Sequence, residues 1–379
     1  MTVRCKKLGG GTTEVPVVGQ GTMGMGGYLS AEAENDRRFI DALRSGIDLG
    51  MTFIDTAEGY GGGHCEELVG RALRGVRDKV FIATKVSPEN LSEQSLVRAA
   101  EKSLKRLQTD HIDLYQIHWP NPAIPICETM NALERLVAEG KVINIGVSNF
   151  SLREIRKAVG ALSSTSMAAV QVEYNLFDRS IEKDILPFCE KEGLTTIAYS
   201  PLDQGRAGGA GDEAGELESI AAKYGKTKAQ ITLNWLVSHP SVIAIPKATT
   251  RRHIRENAEA ADFELSDEDF SRIALLFACE PVAIPVDRIR VSREGEGNRR
   301  VYQTVSDAVE NALKFVPSPV ELAQSLTEGD FLKPVRLIPT TDPSGRYHYD
   351  LIEGRVRYWA WVIAHNGKAS IPALIRPGK

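Results

Sequence analysis

Eight short runs rich in β-branched and aromatic residues recur along the first 275 or so residues, each followed by a longer amphipathic stretch. The runs are "VVGQGTM", "TFIDTA", "VFIATKV", "DLYQIHW", "INIGVSN", "AVQVEYN", "TTIAYSP" and "VIAIPKA". Between them, "SEQSLVRAAEKSLKRLQ" and "ICETMNALERLVAEG" carry apolar residues at three- and four-residue steps, which is the helical period. Serines in "SEQS" and "SLREI" stand where N-caps are expected. Strand and helix in alternation imply parallel pairing, because a parallel neighbour is reached only by a crossover. Eight such units in about 250 residues predict an α/β protein built as a (β/α)8 TIM barrel. "LGGGTTEVPVV" reads as a hairpin laid before the first barrel strand. The Gly/Ala stretch Leu202–Glu216 reads as a mobile loop on the catalytic face.

Composition closes off several functions. The 379 residues carry a net charge of −4, which argues against bulk attraction to nucleic acid or an anionic membrane surface. No apolar run reaches the roughly 18 residues a membrane span needs. The opening "MTVRCKKLGGGTTEVP" has no apolar leader core, so a cytoplasmic location is expected. The cysteines (Cys5, Cys65, Cys127, Cys189, Cys279) are scattered, with no CxxC pair or Cys/His cluster. Reduced thiols and no metal site are therefore expected. Cys65 opens a predicted helix, where a thiolate is favoured, although a lone cysteine there is more often structural.

In a barrel of this kind, reactive side chains stand at the C-terminal ends of strands. "FIDTAEGYGGG" puts Asp55 at the end of the second strand and Tyr60 just beyond it. "ATKV" places Lys85 at the end of the third, and "QIHWP" places His118 at the end of the fourth. Taken singly, each also suits a satisfied core residue. Converging on one rim, they make a proton-transfer set. Reduction of a carbonyl leaves negative charge on oxygen, and a donor must quench it. A free phenol, with a pKa near 10, is a reluctant donor and acceptor at neutral pH. A neighbouring ammonium is expected to lower that value. Lys85 is expected to supply it, Asp55 to hold Lys85 charged, Tyr60 to be acid and base, and His118 to align the carbonyl.

"GTTEVPVVGQGTMGMGG", "FIDTAEGYGGG", "VFIATKV", "IDLYQIHWP", "INIGVSNF", "VQVEYN", "IAYSPL" and "AIPKATTRRHIRENAEA" together resemble the aldo-keto reductases, in family order up to about Phe277. That family binds a nicotinamide cofactor across the barrel mouth without a Rossmann domain, and no G-x-G-x-x-G stands here between strand and helix. The resemblance makes Asp55, Tyr60, Lys85 and His118 the catalytic tetrad. It gives Ser148, Asn149 and Gln171 to the carboxamide, Tyr199 to stacking on the nicotinamide, and Ser200 and Leu202 to the pyrophosphate. Gly21, Thr22, Met23, Asp55 and Ile245 join the same cofactor site. Lys247 and Thr249 would hold a 2′-phosphate, while Glu256 and Asn257 would read the adenine. Where many members carry an arginine this chain has His253, with Arg252 just before it. NADPH is the expected cofactor and NADH the alternative.

Tyr28, Trp119, Phe150 and Met25 suggest an apolar, aromatic mouth for an aldehyde or small ketone. The short loop after His118 suggests an open one. Near Glu280 the pattern changes, giving an expected division into 1–279 and 280–379. "VAIPVDRIRVS", "SPVELAQSLTEGDFLKPVRLIP", "GRYHYDLIEGRVRYWAWVIAHNG" and "SIPALI" resemble the small α+β N-terminal domain of ParB-like proteins and sulfiredoxins. Its nucleotide or phosphate turn corresponds to Gly354, Arg355 and Arg357, although the acid and first arginine of the family's turn are absent. No cysteine follows Cys279, which argues against sulfiredoxin chemistry, and no helix-turn-helix follows to read DNA. A degenerate module that docks on the barrel or on a second subunit is weighed against a retained phosphate site. A redox sensor with a nucleic-acid or protein partner, or a small-molecule kinase, are the alternative functions.

Overall fold

The computed structural model describes residues 3–205, 212–277, 281–291, 301–329 and 332–375. Two short strands, β1 (Cys5–Lys7) and β2 (Glu14–Pro16), pair antiparallel as the expected hairpin. The eight apolar runs then become β3 (Gln20–Gly21), β4 (Phe53–Asp55), β5 (Phe81–Val86), β6 (Ile112–Ile117), β7 (Val142–Ser148), β8 (Met167–Glu173), β9 (Thr195–Tyr199) and β10 (Val242–Ala244). Neighbours pair in parallel in sequence order. A parallel bridge between Val18 and Ala244, with Gly21 N–H donating to the Pro246 carbonyl at 3.1 Å, closes the sheet into a barrel. Gly21 must lack a side chain at this seam, since a Cβ would lie 2.6 Å from the Ile245 carbonyl oxygen.

The surrounding helices are α1 (Asp36–Asp48), α2 (His64–Ala72), α3 (Glu93–Leu107), α4 (Ile126–Ala138), α5 (Leu152–Ala161), α6 (Ile185–Glu192), α7 (Asp212–Tyr224), α8 (Lys228–Ser238), α9 (Arg251–Ala258) and α10 (Asp267–Leu276). Ser151 caps α5 in a reciprocal capping box with Glu154, as "SLREI" suggests. Ser92 stands at the N-cap of α3, but its side chain makes no capping bond. The predicted loop Leu202–Glu216 is shorter than expected. Asp203–Gly205 form a 3-10 turn and α7 is under way from Asp212, while 206–211 lie outside the described residues.

Strand alternation sorts the barrel into layers. Ile54, Ile82, Tyr115, Ile117, Val147 and Val170 belong to the large core shared with the helices. Phe53, Ala83, Leu114, Ala169, Ile197 and Ile243 form a second cluster with Leu8 and Val15 of the hairpin region. The hairpin therefore seals one end of an apolar interior. Two residues further along the same strands come Asp55, Lys85, Gln116 and Gln171, a polar layer at the C-terminal ends.

The chain divides into two compact units, Met1–Ala278 and Cys279–Lys379. In the second, β11 (Val282–Pro285), β12 (Ile289–Val291), β13 (Val335–Pro339), β14 (Tyr349–Glu353) and β15 (Ser370–Ile375) form a mixed sheet in the order β11-β15-β13-β14-β12. Its helices are α11 (Val305–Val309), α12 (Pro319–Thr327) and α13 (Arg355–Ala364). Within the stretch "VSDAVENALKF", α11 stops at Val309. Its own core gathers Ile289, Val335, Leu337, Leu351, Trp359 and Ile371. No helix among the described residues is long and apolar enough to cross a membrane.

Candidate active site

The strand ends bring the predicted set together. Asp55 ends β4, Lys85 is the penultimate residue of β5, and His118 follows β6 directly, its N–H bonded to the Val86 carbonyl. Tyr60 arrives by a different route, on the turn after β4. That turn needs its glycines: Gly61, Gly62 and Gly63 all have positive φ, the left-handed region that other residues enter at a cost. A Cβ on Gly61 would also stand 2.6 Å from the Gly26 carbonyl oxygen. The run "YGGG" is thus the device that folds the phenol back over the barrel end.

Lys85 Nζ donates to Asp55 Oδ1 at 2.6 Å, to the Thr56 carbonyl at 2.9 Å and to the Tyr60 hydroxyl at 3.5 Å. Lys85 is 0% exposed and Asp55 2%. The His118 ring stands nearly perpendicular to the Tyr60 ring, with centroids 5.6 Å apart. Burial disfavours the Lys85 ammonium, but Asp55 and Tyr60 outweigh it and the pKa lies above the usual lysine value. His118 is pushed down to about 3, first by burial and then by the Lys85 charge. Its ring is therefore neutral and keeps one N–H to donate.

Tyr60 departs from expectation. Burial raises its pKa, Lys85 pulls it back, and Asp55 pushes it up again, so the net direction is upward. An ammonium paired at 2.6 Å with a carboxylate has much of its field balanced before it reaches a hydroxyl at 3.5 Å. The phenol is a held proton, suited to giving it away when charge appears on a substrate oxygen.

Around this set, Ser148, Asn149, Gln171 and Tyr199 form one linked rim. Tyr199 Oη donates to Asn149 Oδ1 at 2.8 Å, and Asn149 Nδ2 donates to the His118 carbonyl and to Ser148 Oγ, each at 3.0 Å. Ser148 keeps its own hydrogen to give, while the Asn149 side chain is committed to this local bracing. Gln171 Nε2 donates to Asp55 Oδ2 at 2.8 Å. This donor and acceptor set, one hydroxyl and one amide oxygen beside an aromatic ring, fits a carboxamide-bearing ring.

The other expected residues take up varied positions. Thr22 is fully buried, its hydroxyl donating to the Asp55 carbonyl and accepting from the Cys65 thiol. Cys65 is structural, since burial raises its pKa and disfavours the thiolate. Met23 is exposed, Ile245 lies in the barrel interior, and Leu202 packs against the cluster that includes Val17, Val18 and Ala244. Ser200 adopts a left-handed conformation just after β9. Tyr28 and Trp119 are exposed at 52% and 43%, as mouth residues would be. Phe150 and Met25, at 3% and 2%, instead belong to the core between sheet and helices. Asn149, just before Phe150, takes a left-handed backbone conformation with φ +63.

Lys247 is exposed on the segment between β10 and α9. His253 donates its backbone N–H to the Thr250 cap, Asn257 is buried, and Glu256 is held by Arg252 at 2.8 Å. Arg38, on α1, reaches the Thr249 hydroxyl at 3.2 Å. Nothing local marks it, because the contact spans 211 positions. Gln116, not among the sequence candidates, is the penultimate residue of β6, two positions before His118.

In the second unit, Gly354 takes φ +91 at the start of α13, and a Cβ there would meet Arg357 Nη2 at 3.0 Å. Arg357 is spent within the unit: Nη1 donates to the Lys333 and Pro334 carbonyls at 2.9 Å, and Nη2 to Glu353 at 3.3 Å. Arg355 turns back toward the Leu351 carbonyl at 3.5 Å. These contacts brace the turn that opens α13. Among the described residues no group of His, Cys, Asp and Glu has metal-binding geometry.

Residues 17–276 match the Aldo/keto reductase family. The chain is 40% identical over 264 residues to a methylglyoxal reductase, YeaE, of Escherichia coli, covering 69% of this chain and 91% of that protein. It is 36% identical over 261 residues to a glyoxal reductase of Bacillus subtilis, covering 68% and 90%. Among solved structures it resembles a thermostable aldo-keto reductase, Tm1743, in complex with the inhibitor epalrestat. There the TM-score is 0.70 and the identity 43%, over 72% of this chain and 99% of that one. An aldo/keto reductase from Klebsiella pneumoniae in complex with NADP and acetate gives a TM-score of 0.65 at 41% identity, over 73% and 96%.

Proposed function

The chain belongs to the aldo/keto reductase family, and from that premise we propose that it is an NADPH-dependent reductase of small aldehydes. Tyr60 is read as the proton donor. The observation that carries this is the sealed Asp55–Lys85 pair with the Tyr60 hydroxyl 3.5 Å from the ammonium. NADPH supplies the hydride when bound. Ser148 and Gln171 would hold its carboxamide, Tyr199 would lie against its ring, and Lys247, Arg38 and Thr249 are assigned to its 2′-phosphate.

The residues then do the following. His118, neutral, donates a ring N–H to the substrate carbonyl oxygen and fixes its direction. As the carbonyl carbon gains two electrons, its oxygen becomes an alkoxide, and the Tyr60 O–H proton passes to it. The phenolate left behind is stabilised by Lys85, whose charge Asp55 maintains. In alcohol oxidation the same groups run in reverse, with Tyr60 as base.

The reductases of methylglyoxal and glyoxal among the relatives favour short dicarbonyls as substrates. A cytoplasmic setting belongs to the same proposal and rests on the unpaired thiols of Cys5, Cys65, Cys127 and Cys189. For the second unit, the ParB-like relationship is kept as a proposal of fold, with a structural or docking role. The commitments of Arg357 support that over a nucleotide site.

Methylglyoxal, glyoxal and longer aldehydes should be offered with NADPH and with NADH while the loss of reduced-nicotinamide absorbance is followed. Turnover of the short dicarbonyls with NADPH supports the assignment. No turnover of any carbonyl with either cofactor would refute it.

A further inference from the structure

Asp55 has a separate partner on each carboxylate oxygen: Lys85 Nζ on Oδ1 at 2.6 Å and Gln171 Nε2 on Oδ2 at 2.8 Å. All three side chains are buried. An amide nitrogen has two hydrogens, and the second one of Gln171 faces Gln116 Oε1 at 3.5 Å. The orientation of the Gln171 amide is thereby determined, because the reverse would set its oxygen against the Asp55 carboxylate.

The barrel is built to admit this arrangement. Gln116 pairs in register with Lys85 on one side and Gly146 on the other. A Cβ on Gly146 would come within 3.0 Å of Gln116 Cγ, so the glycine leaves the space that the glutamine fills. Gln116 Nε2 is buried without a partner among the described residues, a desolvation cost that an apolar residue would avoid. What the glutamine provides in return is its oxygen, facing Gln171.

We propose that Gln171 is a positioning residue for proton transfer, acting through Asp55 on the Lys85–Tyr60 pair, with Gln116 fixing its orientation. The idea rests on the reading of Tyr60 as proton donor and base. A hydrogen donated to a carboxylate withdraws part of its charge. With that bond, Asp55 opposes a phenolate at Tyr60 less; without it, the carboxylate opposes the phenolate more and is free to turn, carrying Lys85 with it. The amide oxygen of the same side chain is the acceptor assigned to the cofactor, so one residue would link cofactor and proton donor.

Two readouts separate this role from mere cofactor binding: NADPH affinity by fluorescence titration, and the pH profile of alcohol oxidation at saturating NADP+. In Gln171→Met the acidic limb of that profile is expected to move to higher pH by about one unit, whatever happens to affinity. In Gln116→Leu the limb should move the same way by a smaller amount, with NADPH affinity within about twofold of wild type. A Gln171→Met protein that binds NADPH more weakly but keeps its limb in place would overturn the proposal. So would a limb unmoved in a folded Gln116→Leu protein, should Gln171→Met fail to fold. If Tyr60→Phe oxidises alcohol as fast as wild type, the reading of Tyr60 fails first and separately, and the proposal falls with it.

Discussion

Lys85 Nζ lies 2.6 Å from Asp55 Oδ1, with both side chains shut away from solvent. A pair buried this deeply is costly to break from one side, because the survivor keeps an uncompensated charge, at about 3–5 kcal/mol. Lys85→Met should therefore lose stability on that scale in urea denaturation. The double variant Lys85→Met/Asp55→Leu should lose less than the single one. Both should be inactive, since neither leaves an ammonium for Tyr60. Equal stability of the single variant and wild type would show the pair to be hydrated.

His118 is held neutral, with its pKa near 3. The pair that does change charge in the alkaline range is Tyr60 and Lys85, both with raised values. Aldehyde reduction needs Tyr60 and Lys85 protonated and His118 neutral. Its rate should accordingly be level through the neutral range and fall only toward alkaline pH. An inflection near the ordinary imidazole value of 6.5 that vanishes in His118→Asn would contradict the neutral-donor role.

Gly61→Ala asks a residue with a side chain to hold φ +57 and to place Cβ 2.6 Å from the Gly26 carbonyl oxygen. A loss of about 1–3 kcal/mol is expected. Because the strain falls on the residue next to Tyr60, turnover should drop further than the unfolded fraction explains. Circular dichroism melts paired with kcat on the folded protein check this.

Much of the site was readable because strand ends are readable. Asp55, Lys85 and His118 each close an apolar run, and the parallel register then has little choice but to gather them. Tyr60 was legible through the glycines that follow it. The net direction of its pKa was not, because that depends on how closely Asp55 balances Lys85. Phe150 and Met25 look like mouth residues by type, yet an aromatic or a methionine serves a core equally well, and both are buried. Thr22 is expected at the cofactor site from its motif alone, which gives no sign that its hydroxyl bonds the Asp55 carbonyl and the Cys65 thiol. Residues 212–216 read as loop in the sequence because Gly and Ala there obscure the start of α7. The Arg38–Thr249 contact has no local signal at all.

That contact bears on cofactor choice. If Lys247 and Arg38 meet the 2′-phosphate, removing either charge should cost NADPH about 1.5–3 kcal/mol, roughly 10- to 150-fold in affinity, and leave NADH almost unaffected. Kd values for both cofactors with Lys247→Ala and Arg38→Ala measure it. Equal weakening of NADPH and NADH would move these side chains away from the phosphate.

Everything chemical in this account depends on the Tyr60 hydroxyl giving its proton as the carbonyl is reduced. Rapid mixing of the NADPH-loaded protein with methylglyoxal, wild type against Tyr60→Phe, isolates that step from product release. The variant should bind NADPH within about twofold of wild type and reduce the carbonyl about 100- to 10,000-fold more slowly, the usual span for losing a general acid. A Tyr60→Phe protein that oxidises its bound NADPH at the wild-type rate would contradict the claim outright.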